Sequence, residues 1–190
     1  MQMERYFGAL TLTLLLAIIL IRVLLLRRRG IQAMQFGRTD KTDFLIPPFA
    51  LFYFYIVIAV AFDWPTFARH RYFESQLASW AGGLCCVAGL ILLSLSLVSF
   101  GKSFRIGIDK DSPDDLVTTG VFGVSRNPIY EAFWFVLLGQ FLLFPNLVPL
   151  IYLIAATGLF HRQVLREEDF MQRHYGPEYS AYRRRVRRYL

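Results

Sequence analysis

Long runs of apolar residues, separated by shorter polar and basic segments, dominate the pattern of the sequence. The first three runs are Tyr6–Leu26, Phe44–Phe62 and, approximately, Leu77–Phe100. A helix of about 20 apolar residues is long enough to cross a bilayer. Each of these runs therefore predicts a transmembrane helix.

A further apolar region, Ile129–Phe160, is interrupted by the sequence FPNLVP at Phe144–Pro149. One helix of this length would measure about 48 Å, whereas the hydrocarbon core of a bilayer is about 30 Å thick. The proline and asparagine residues favour a turn and a new helix start. We therefore predict a hairpin of two helices, and for the whole chain an all-α, polytopic membrane protein with about five spans.

The residues after Phe160 are too polar to form another span. They predict a cytoplasmic helix as far as about Tyr175, a break at Gly176–Pro177, and a short basic helix. We expect two regions in the chain. Residues 1–100 contain the three N-terminal spans, and residues 101–190 contain a polar loop, the hairpin and the C-terminal helices.

Composition and charge agree with a membrane protein and predict its orientation. Hydrophobic residues make up 55% of the chain, charged residues make up 18%, and the formal net charge is +7. With five spans, 17 lysines and arginines lie on one side and three on the other, with Arg22 inside the membrane. The positive-inside rule then predicts an outside N-terminus and a cytoplasmic C-terminus. A four-span arrangement would split these basic residues between the two faces.

The basic clusters also indicate the partners of the protein. They adjoin apolar runs, which is typical of topology signals and of contacts with anionic lipids, so we predict a lipid bilayer and no nucleic acid as partners. The three histidines lack the spacing of metal ligands, and no metal site is predicted.

The candidate chemistry begins in the sequence GVFGVSRNPIYEAF, Gly120–Phe133, where polar side chains precede an apolar run. Asn127 is suited to cap the next helix, and Pro128 is favoured in its first turn. Arg126 is able to face lipid phosphates. Taken singly, each of these residues has a structural explanation.

The predicted hairpin also indicates a ligand-binding role for these residues, because it returns the chain to the same membrane face. It brings the sequence REED, Arg166–Asp169, close to Arg126–Tyr130. A helix start, an arginine, an amide and a carboxylate in one place are able to bind a zwitterionic ligand, and a glutamate is able to accept both hydroxyls of a ribose. Adjacent helical glutamates point in different directions, so we expect at most one of Glu167 and Glu168 to face such a ligand squarely.

Two longer segments resemble a known family. DDLVTTGVFGVSRNPIY, followed about forty residues later by REEDFMQRHYGPEYSAYRRRV, is similar to the isoprenylcysteine carboxyl methyltransferase family. This wider family of integral membrane methyltransferases also includes phospholipid N-methyltransferases. The resemblance covers roughly residues 101–190, and the first two spans share only hydrophobicity with it.

The resemblance implies S-adenosylmethionine as the methyl donor. Carried over position by position, it assigns to cofactor binding the residues Asp114, Asp115, Leu116, Val117, Phe122, Asn127, Pro128, Ile129, Tyr130 and Glu167. His161 and Glu168, which lie close to these positions, are further candidates for cofactor binding. The family usually has histidine at the positions of Asp114 and Asn127. Asparagine at position 127 keeps its hydrogen-bonding ability but cannot titrate, which favours binding over acid–base chemistry.

The resemblance also implies a substrate contact by an arginine four residues before the first glutamate, where this chain has Gln163. Arg162 and Arg166 flank that position, and with Arg126 they are the candidate catalytic residues. We therefore predict S-adenosylmethionine-dependent methylation of a lipophilic, amphiphilic or lipidated acceptor, such as an isoprenylcysteine carboxylate, a phospholipid amine or a thiol. Two alternatives are an NADPH-dependent membrane enzyme similar to sterol reductases and a non-enzymatic membrane subunit.

Overall fold

The computed structural model describes residues 2–28, 46–62, 64, 71–101 and 116–190 of the chain. These residues form α1 (Gln2–Arg28), α2 (Ile46–Ala61), α3 (Gln76–Phe100), a 3₁₀ turn (Gly120–Gly123), α4 (Pro128–Leu143), α5 (Leu147–Tyr175) and α6 (Pro177–Arg185). Within these ranges the β-structure is limited to one isolated bridge. The predicted all-α class is confirmed.

The apolar helices have the dimensions expected of membrane spans. By length and composition, α1, α3 and α5 are each long and apolar enough to cross a bilayer. The helices α2 and α4 have 16 residues each; they are apolar but shorter. Many large apolar side chains on these helices are exposed, as expected for surfaces that face lipid. The chain is therefore a polytopic α-helical membrane protein.

Polar contacts fix the two ends of the helix bundle. At one end, the Arg22 guanidinium of α1 donates to the carbonyl of Gly101, directly after α3. At the other end, the Glu4 carboxylate of α1 accepts from Ser79 of α3 and from Arg71. The helices α1 and α3 therefore run in the same direction. We refer to these as the Gly101 end and the Glu4 end of the bundle.

The predicted hairpin is confirmed, and its turn lies at the Glu4 end. The helix α4 ends at Leu143, and the side chain of Asn146 caps α5 by accepting from the backbone N–H of Val148 at 3.0 Å. The backbone N–H of Tyr72 donates to the carbonyl of Pro145 in this turn. The helix α4 therefore runs toward the Glu4 end, and α5 returns toward the Gly101 end.

The helix predicted to extend to about Tyr175 is confirmed, and it is continuous with the second helix of the hairpin, because α5 runs unbroken from Leu147 to Tyr175. Residues 161–175 contain neither glycine nor proline, so nothing in the backbone ends the helix where the apolar pattern ends. The break at Gly176 is confirmed. Its φ of +49° is a left-handed conformation that favours glycine, and α6 begins at the following residue, Pro177.

The closest helix packing joins α3 and α4, and glycines make it possible. A Cβ atom at Gly139 of α4 would lie 2.6 Å from both the carbonyl oxygen of Gly82 and the Sγ atom of Cys86. Gly89 of α3 is similarly confined by Ala132 and Val136 of α4. Small residues at such crossings allow helix backbones to approach in membranes. The glycines of the third apolar run thus allow it to pack closely against α4.

The same packing crosses the predicted boundary between residues 1–100 and 101–190, since α3 belongs to the first region and α4 to the second. That division into two regions stays a prediction.

We expect Gly139→Ala to lower the free energy of unfolding by about 1–3 kcal/mol, because the added methyl group overpacks the α3–α4 contact. Gly158→Ala is the matched control, since an added Cβ there meets nothing within 4 Å. This control should leave stability unchanged or raise it by about 0.5–1 kcal/mol through helix propensity. Thermal unfolding of both variants in detergent measures the difference. Equal stability of the two variants would contradict the close packing.

Candidate functional site

A buried ion-pair network lies at the Gly101 end, between the start of α4 and the C-terminal third of α5. Glu168 of α5 accepts from Arg126 Nε at 3.1 Å and from a terminal nitrogen of Arg126 at 2.8 Å. Its second oxygen accepts from Arg188 at 2.9 Å. The side chains of Arg126 and Glu168 are only 7% and 6% exposed. This network joins the segment before α4, the helix α5 and the segment after α6.

The segment after α6, residues 186–190, lies directly along the residues before α4. We call it the tail strap. The backbone N–H of Arg126 donates to the carbonyl of Arg187 at 2.9 Å, and Ser125 and Arg187 form a parallel β-bridge. The Arg126 side chain also donates to the carbonyls of Arg183 and Val186. Arg126 thus donates hydrogen bonds both to Glu168 and to the tail strap, and it connects the two.

The tail strap also explains why one sequence prediction is wrong. Asn127 occupies the N-cap position of α4, but its side chain makes no capping hydrogen bond. Its amide nitrogen instead donates to the carbonyl of Arg188 at 3.1 Å, and its backbone N–H donates to the hydroxyl of Ser125. The Arg188 carbonyl, which also accepts from the Ser125 hydroxyl, is a backbone acceptor that this amide helps to satisfy.

A second carboxylate pairing lies beside the network, one residue away along α5. Glu167 accepts from the Tyr130 hydroxyl of α4 at 2.5 Å and from the Gln163 amide of α5 at 3.0 Å. Both donors are neutral, whereas Glu168 is bound by two arginines. The expectation that the two adjacent glutamates point in different directions is confirmed. Among the residues that the structure describes, no cationic side chain pairs with Glu167.

A third carboxylate, Glu131 in the first turn of α4, is buried, with 8% of the residue exposed. One of its oxygens, Oε1, accepts from the Ser125 hydroxyl at 2.8 Å and from the backbone N–H of Leu190 at 2.7 Å. The second oxygen, Oε2, is buried and has no hydrogen-bond partner among the described residues. Glu131 therefore holds the end of the tail strap with only one of its two oxygens.

Aromatic packing fixes the wall behind the network. Phe122, in the 3₁₀ turn, packs edge-to-face on Phe100 of α3 with ring centroids 4.8 Å apart. Its carbonyl accepts from the Tyr182 hydroxyl at 2.7 Å. Tyr179 and Tyr182 of α6 are buried, and Leu116 packs against them. Burial raises the pKa of Tyr179 to about 12, so its phenol stays uncharged at neutral pH.

Gly120 allows the 3₁₀ turn to contact α3 closely. Its φ is +63°, and an added Cβ would lie 2.3 Å from the Ser99 hydroxyl oxygen. Only glycine fits both the left-handed backbone and this close contact. The turn then leads directly into the Ser125–Asn127 segment, whose position depends on it.

The structure brings together only some of the candidate residues. Arg126, Tyr130, Glu167 and Glu168 interact as described. His161 Nδ1 lies 2.9 Å from the hydroxyl of Tyr189 on the tail strap.

The remaining candidates have other environments. Pro128 is buried, Ile129 packs against the bundle core, and Val117 is partly buried. Arg162 and Arg166 are exposed on α5. Asp114 and Asp115 lie outside the described residues. The assignment of each residue to cofactor or substrate stays a prediction.

Sequence reasoning missed the tail strap and its arginine. Arg188 donates to Glu168, and this carboxylate raises the pKa of Arg188 above its usual value. A signal was present, since the basic sequence RRRVRR follows the acidic pair in REED by about fifteen residues. Opposite charges at such a distance indicate a possible pairing but do not identify the partners. Among the described residues, no group of acidic, histidine or cysteine side chains is arranged to hold a metal ion.

Comparison with known proteins adds independent information on this region. The sequence model of the phospholipid methyltransferase family matches residues 77–178, which include α3, α4 and α5. This match begins one helix earlier than the sequence resemblance noted above. No solved structure gives a significant match to the chain.

Several curated relatives are protein-S-isoprenylcysteine O-methyltransferases. The Dictyostelium discoideum protein is 29% identical over 56% of this chain and 46% of its own length. The Schizosaccharomyces pombe protein is 31% identical over 64% of this chain and 52% of its own length. The Saccharomyces cerevisiae protein is 30% identical over 57% and 49%, respectively. The chain thus spans about half the length of the curated relatives it matches.

The family match covers more than half of the chain and contains both halves of the site, the Arg126–Tyr130 corner and the Glu167–Glu168 pair. It agrees with the resemblance inferred from the same segments. The chain therefore belongs to the phospholipid methyltransferase family.

Proposed function

We propose that this protein is an S-adenosylmethionine-dependent methyltransferase that acts on a lipophilic or amphiphilic acceptor at the Gly101 end of its helix bundle. The observation that supports this proposal best is the meeting of Tyr130 with Glu167. Both residues lie in the region matched by the family, and both were assigned to cofactor binding by the resemblance. Glu167 presents a carboxylate held only by neutral donors, which suits a ligand that carries hydroxyl groups.

The residues around Glu167 fit the proposed cofactor. We assign Glu167 to the ribose hydroxyls, with Tyr130 and Gln163 fixing the orientation of its carboxylate. Arg126 and Glu168 satisfy one another and act as positioning residues for the α4–α5 corner. The buried and unpartnered Oε2 atom of Glu131 is a further polar atom near this corner that a bound group would satisfy. Leu116 and Phe122 belong to the apolar wall on the α6 side.

S-adenosylmethionine supplies a methyl group on a positively charged sulfur, which an acceptor with a lone pair is able to displace directly. The protein is then required to align donor and acceptor and to exclude water. The ion-pair network makes the corner rigid enough for such alignment, because it joins three segments through the buried side chains of Arg126 and Glu168 and the partly buried side chain of Arg188. Exposed apolar helix surfaces give a lipophilic acceptor access from the bilayer.

The names of the family and of the relatives indicate only the general chemical class of the acceptor. Their names specify the isoprenylcysteine group of a protein, and the family description specifies phospholipids. An isoprenylcysteine carboxylate, a phospholipid amine and a thiol are all nucleophiles that fit the proposed reaction. Arg162 and Arg166 are exposed beside the corner, and we assign them to an anionic group of the acceptor.

Transfer of a labelled methyl group tests the proposed function. Purified protein, labelled S-adenosylmethionine and membrane extract should give a labelled, lipid-soluble product, which mass spectrometry would identify. The NADPH-dependent alternative predicts instead that NADPH, and not S-adenosylmethionine, raises the melting temperature. A non-enzymatic subunit predicts that neither does. Either of these results would overturn the proposal.

Glu167→Gln should lower the affinity for S-adenosylmethionine about tenfold or more, because hydrogen bonds to a charged carboxylate contribute about 1.5–3 kcal/mol. Asp169→Asn is the matched control, since Asp169 is exposed two residues further along α5 and pairs with Arg173. Isothermal titration calorimetry of both variants measures the affinities. Wild-type affinity in Glu167→Gln would contradict the ribose assignment.

We propose that the Gly101 end faces the cytoplasm, with the N-terminus outside. The distribution of basic residues supports this orientation, and the cytoplasm is where the water-soluble methyl donor is available. A reporter fused after Leu190 should be active only if it is of a type that functions in the cytoplasm. Activity of a reporter that requires the outer compartment would contradict the proposed orientation.

A further inference from the structure

Glu131 stands apart from the other buried carboxylate of the site. Glu168 is buried to a similar degree, but two arginines bind it. The partners of Glu131 are a hydroxyl and a backbone N–H, both neutral and both on Oε1. Within the described ranges of the chain, its Oε2 atom is buried without a partner. The contacts seen there thus leave one carboxylate oxygen unsatisfied.

The structural roles of Glu131 do not account for this oxygen. A carboxylate in the first turn of a helix interacts favourably with the helix dipole, but this effect does not require burial. The bond to Leu190 holds the tail strap through Oε1 alone. A buried polar atom without a partner is unfavourable by about 1–3 kcal/mol, and more if it is charged. Such an atom indicates a partner other than the residues that the structure describes.

We propose that Glu131 recognises the positive charge of the methyl donor, with Oε2 facing the sulfonium group. This inference rests on the proposed function. Glu131 follows Tyr130, which contacts the carboxylate that we assign to the ribose. A sulfonium group donates no N–H or O–H hydrogen bond, so its main attraction to a carboxylate is electrostatic. That attraction is strong in a buried site, where water does not screen it.

The assignment has a consequence for the order of binding and release. In methyl transfer the lone pair of the acceptor forms a bond to the methyl carbon, and the electron pair of the broken carbon–sulfur bond moves onto sulfur. S-adenosylhomocysteine is then left without the positive charge on sulfur. Glu131 attracts the charged donor and has no such attraction for the neutral product. The residue thus favours exchange of product for fresh donor.

S-adenosylmethionine carries a positive charge on sulfur and S-adenosylhomocysteine does not, so the affinities for these two ligands test the inference without an activity assay. In calorimetric titrations of detergent-purified protein, wild type should bind S-adenosylmethionine about tenfold or more tightly than S-adenosylhomocysteine. Glu131→Gln should reduce this preference to about twofold or less, because it removes the charge. The amide oxygen of the variant is still able to accept from Ser125 and Leu190, so the tail strap keeps its anchor. Glu178→Gln, which makes the same change at an exposed position of α6, should keep the wild-type preference.

Three results would overturn the inference and are distinguishable from one another. An equal loss of affinity for both ligands in Glu131→Gln would assign the residue to the tail strap only. Unchanged affinities would place Oε2 away from the ligand. Failure of wild type to bind either ligand would overturn the proposed function itself.

A measurement on wild type alone keeps the inference falsifiable if Glu131→Gln does not fold. Sinefungin carries a protonated amine near the position of the sulfonium group, and it should bind about tenfold or more tightly than S-adenosylhomocysteine. Equal affinity for these two ligands would show that the site does not recognise the charge, and would overturn the inference.

Discussion

The carboxylate of Glu168 is the interaction on which the rest of the site depends. It is bound between Arg126, which precedes α4, and Arg188, which follows α6. These segments are distant in sequence, and each carries backbone groups that the others satisfy. A buried carboxylate with a single arginine would be unfavourable, whereas two arginines with several hydrogen bonds compensate for its burial. The network thus sets the relative positions of three segments. Glu167, the residue before Glu168 on α5, is left directed toward Tyr130.

The helix bundle supplies the frame for this network. Glycines allow α3 and α4 to pack closely, and the Asn146 cap starts α5 directly after the hairpin turn. Because α5 continues without a break past its apolar part, it carries the glutamate pair to the start of α4. A flexible connection near Phe160 would have left the distance between the two segments undetermined. The unbroken helix therefore connects the membrane frame with the proposed chemistry.

Much of this architecture could be predicted because it follows from local patterns. Apolar runs identify helices, and a proline–asparagine interruption identifies the hairpin. The meeting of Arg126 with Glu168 followed from the hairpin, since both had to return to one face. The continuous α5 was not predicted, because an apolar pattern shows where a membrane ends and not where a helix ends.

The tail strap could not be predicted, because its backbone hydrogen bonds do not depend on side-chain identity. The capping role expected of Asn127 was wrong for the same reason: its side chain binds a tertiary carbonyl and makes no local cap. The family resemblance found the residues of the site, and the structure adds the partners of each. Among these partners, Gln163 and Ser125 are neutral donors. Their contribution is visible only when the hydrogen-bond partners of Glu131, Glu167 and Glu168 are compared.

A double-mutant cycle between Arg126 and Glu168 tests most directly whether this network holds the site together. Chemical unfolding of Arg126→Ala, Glu168→Ala and the double variant in detergent gives the coupling free energy. Each single substitution should cost about 3–5 kcal/mol, because it leaves a buried charge short of a partner, and the coupling should reach about 2 kcal/mol or more. The exposed pair Asp169–Arg173 should show less than about 0.5 kcal/mol in the same cycle. Additive effects at Arg126 and Glu168 would contradict the account.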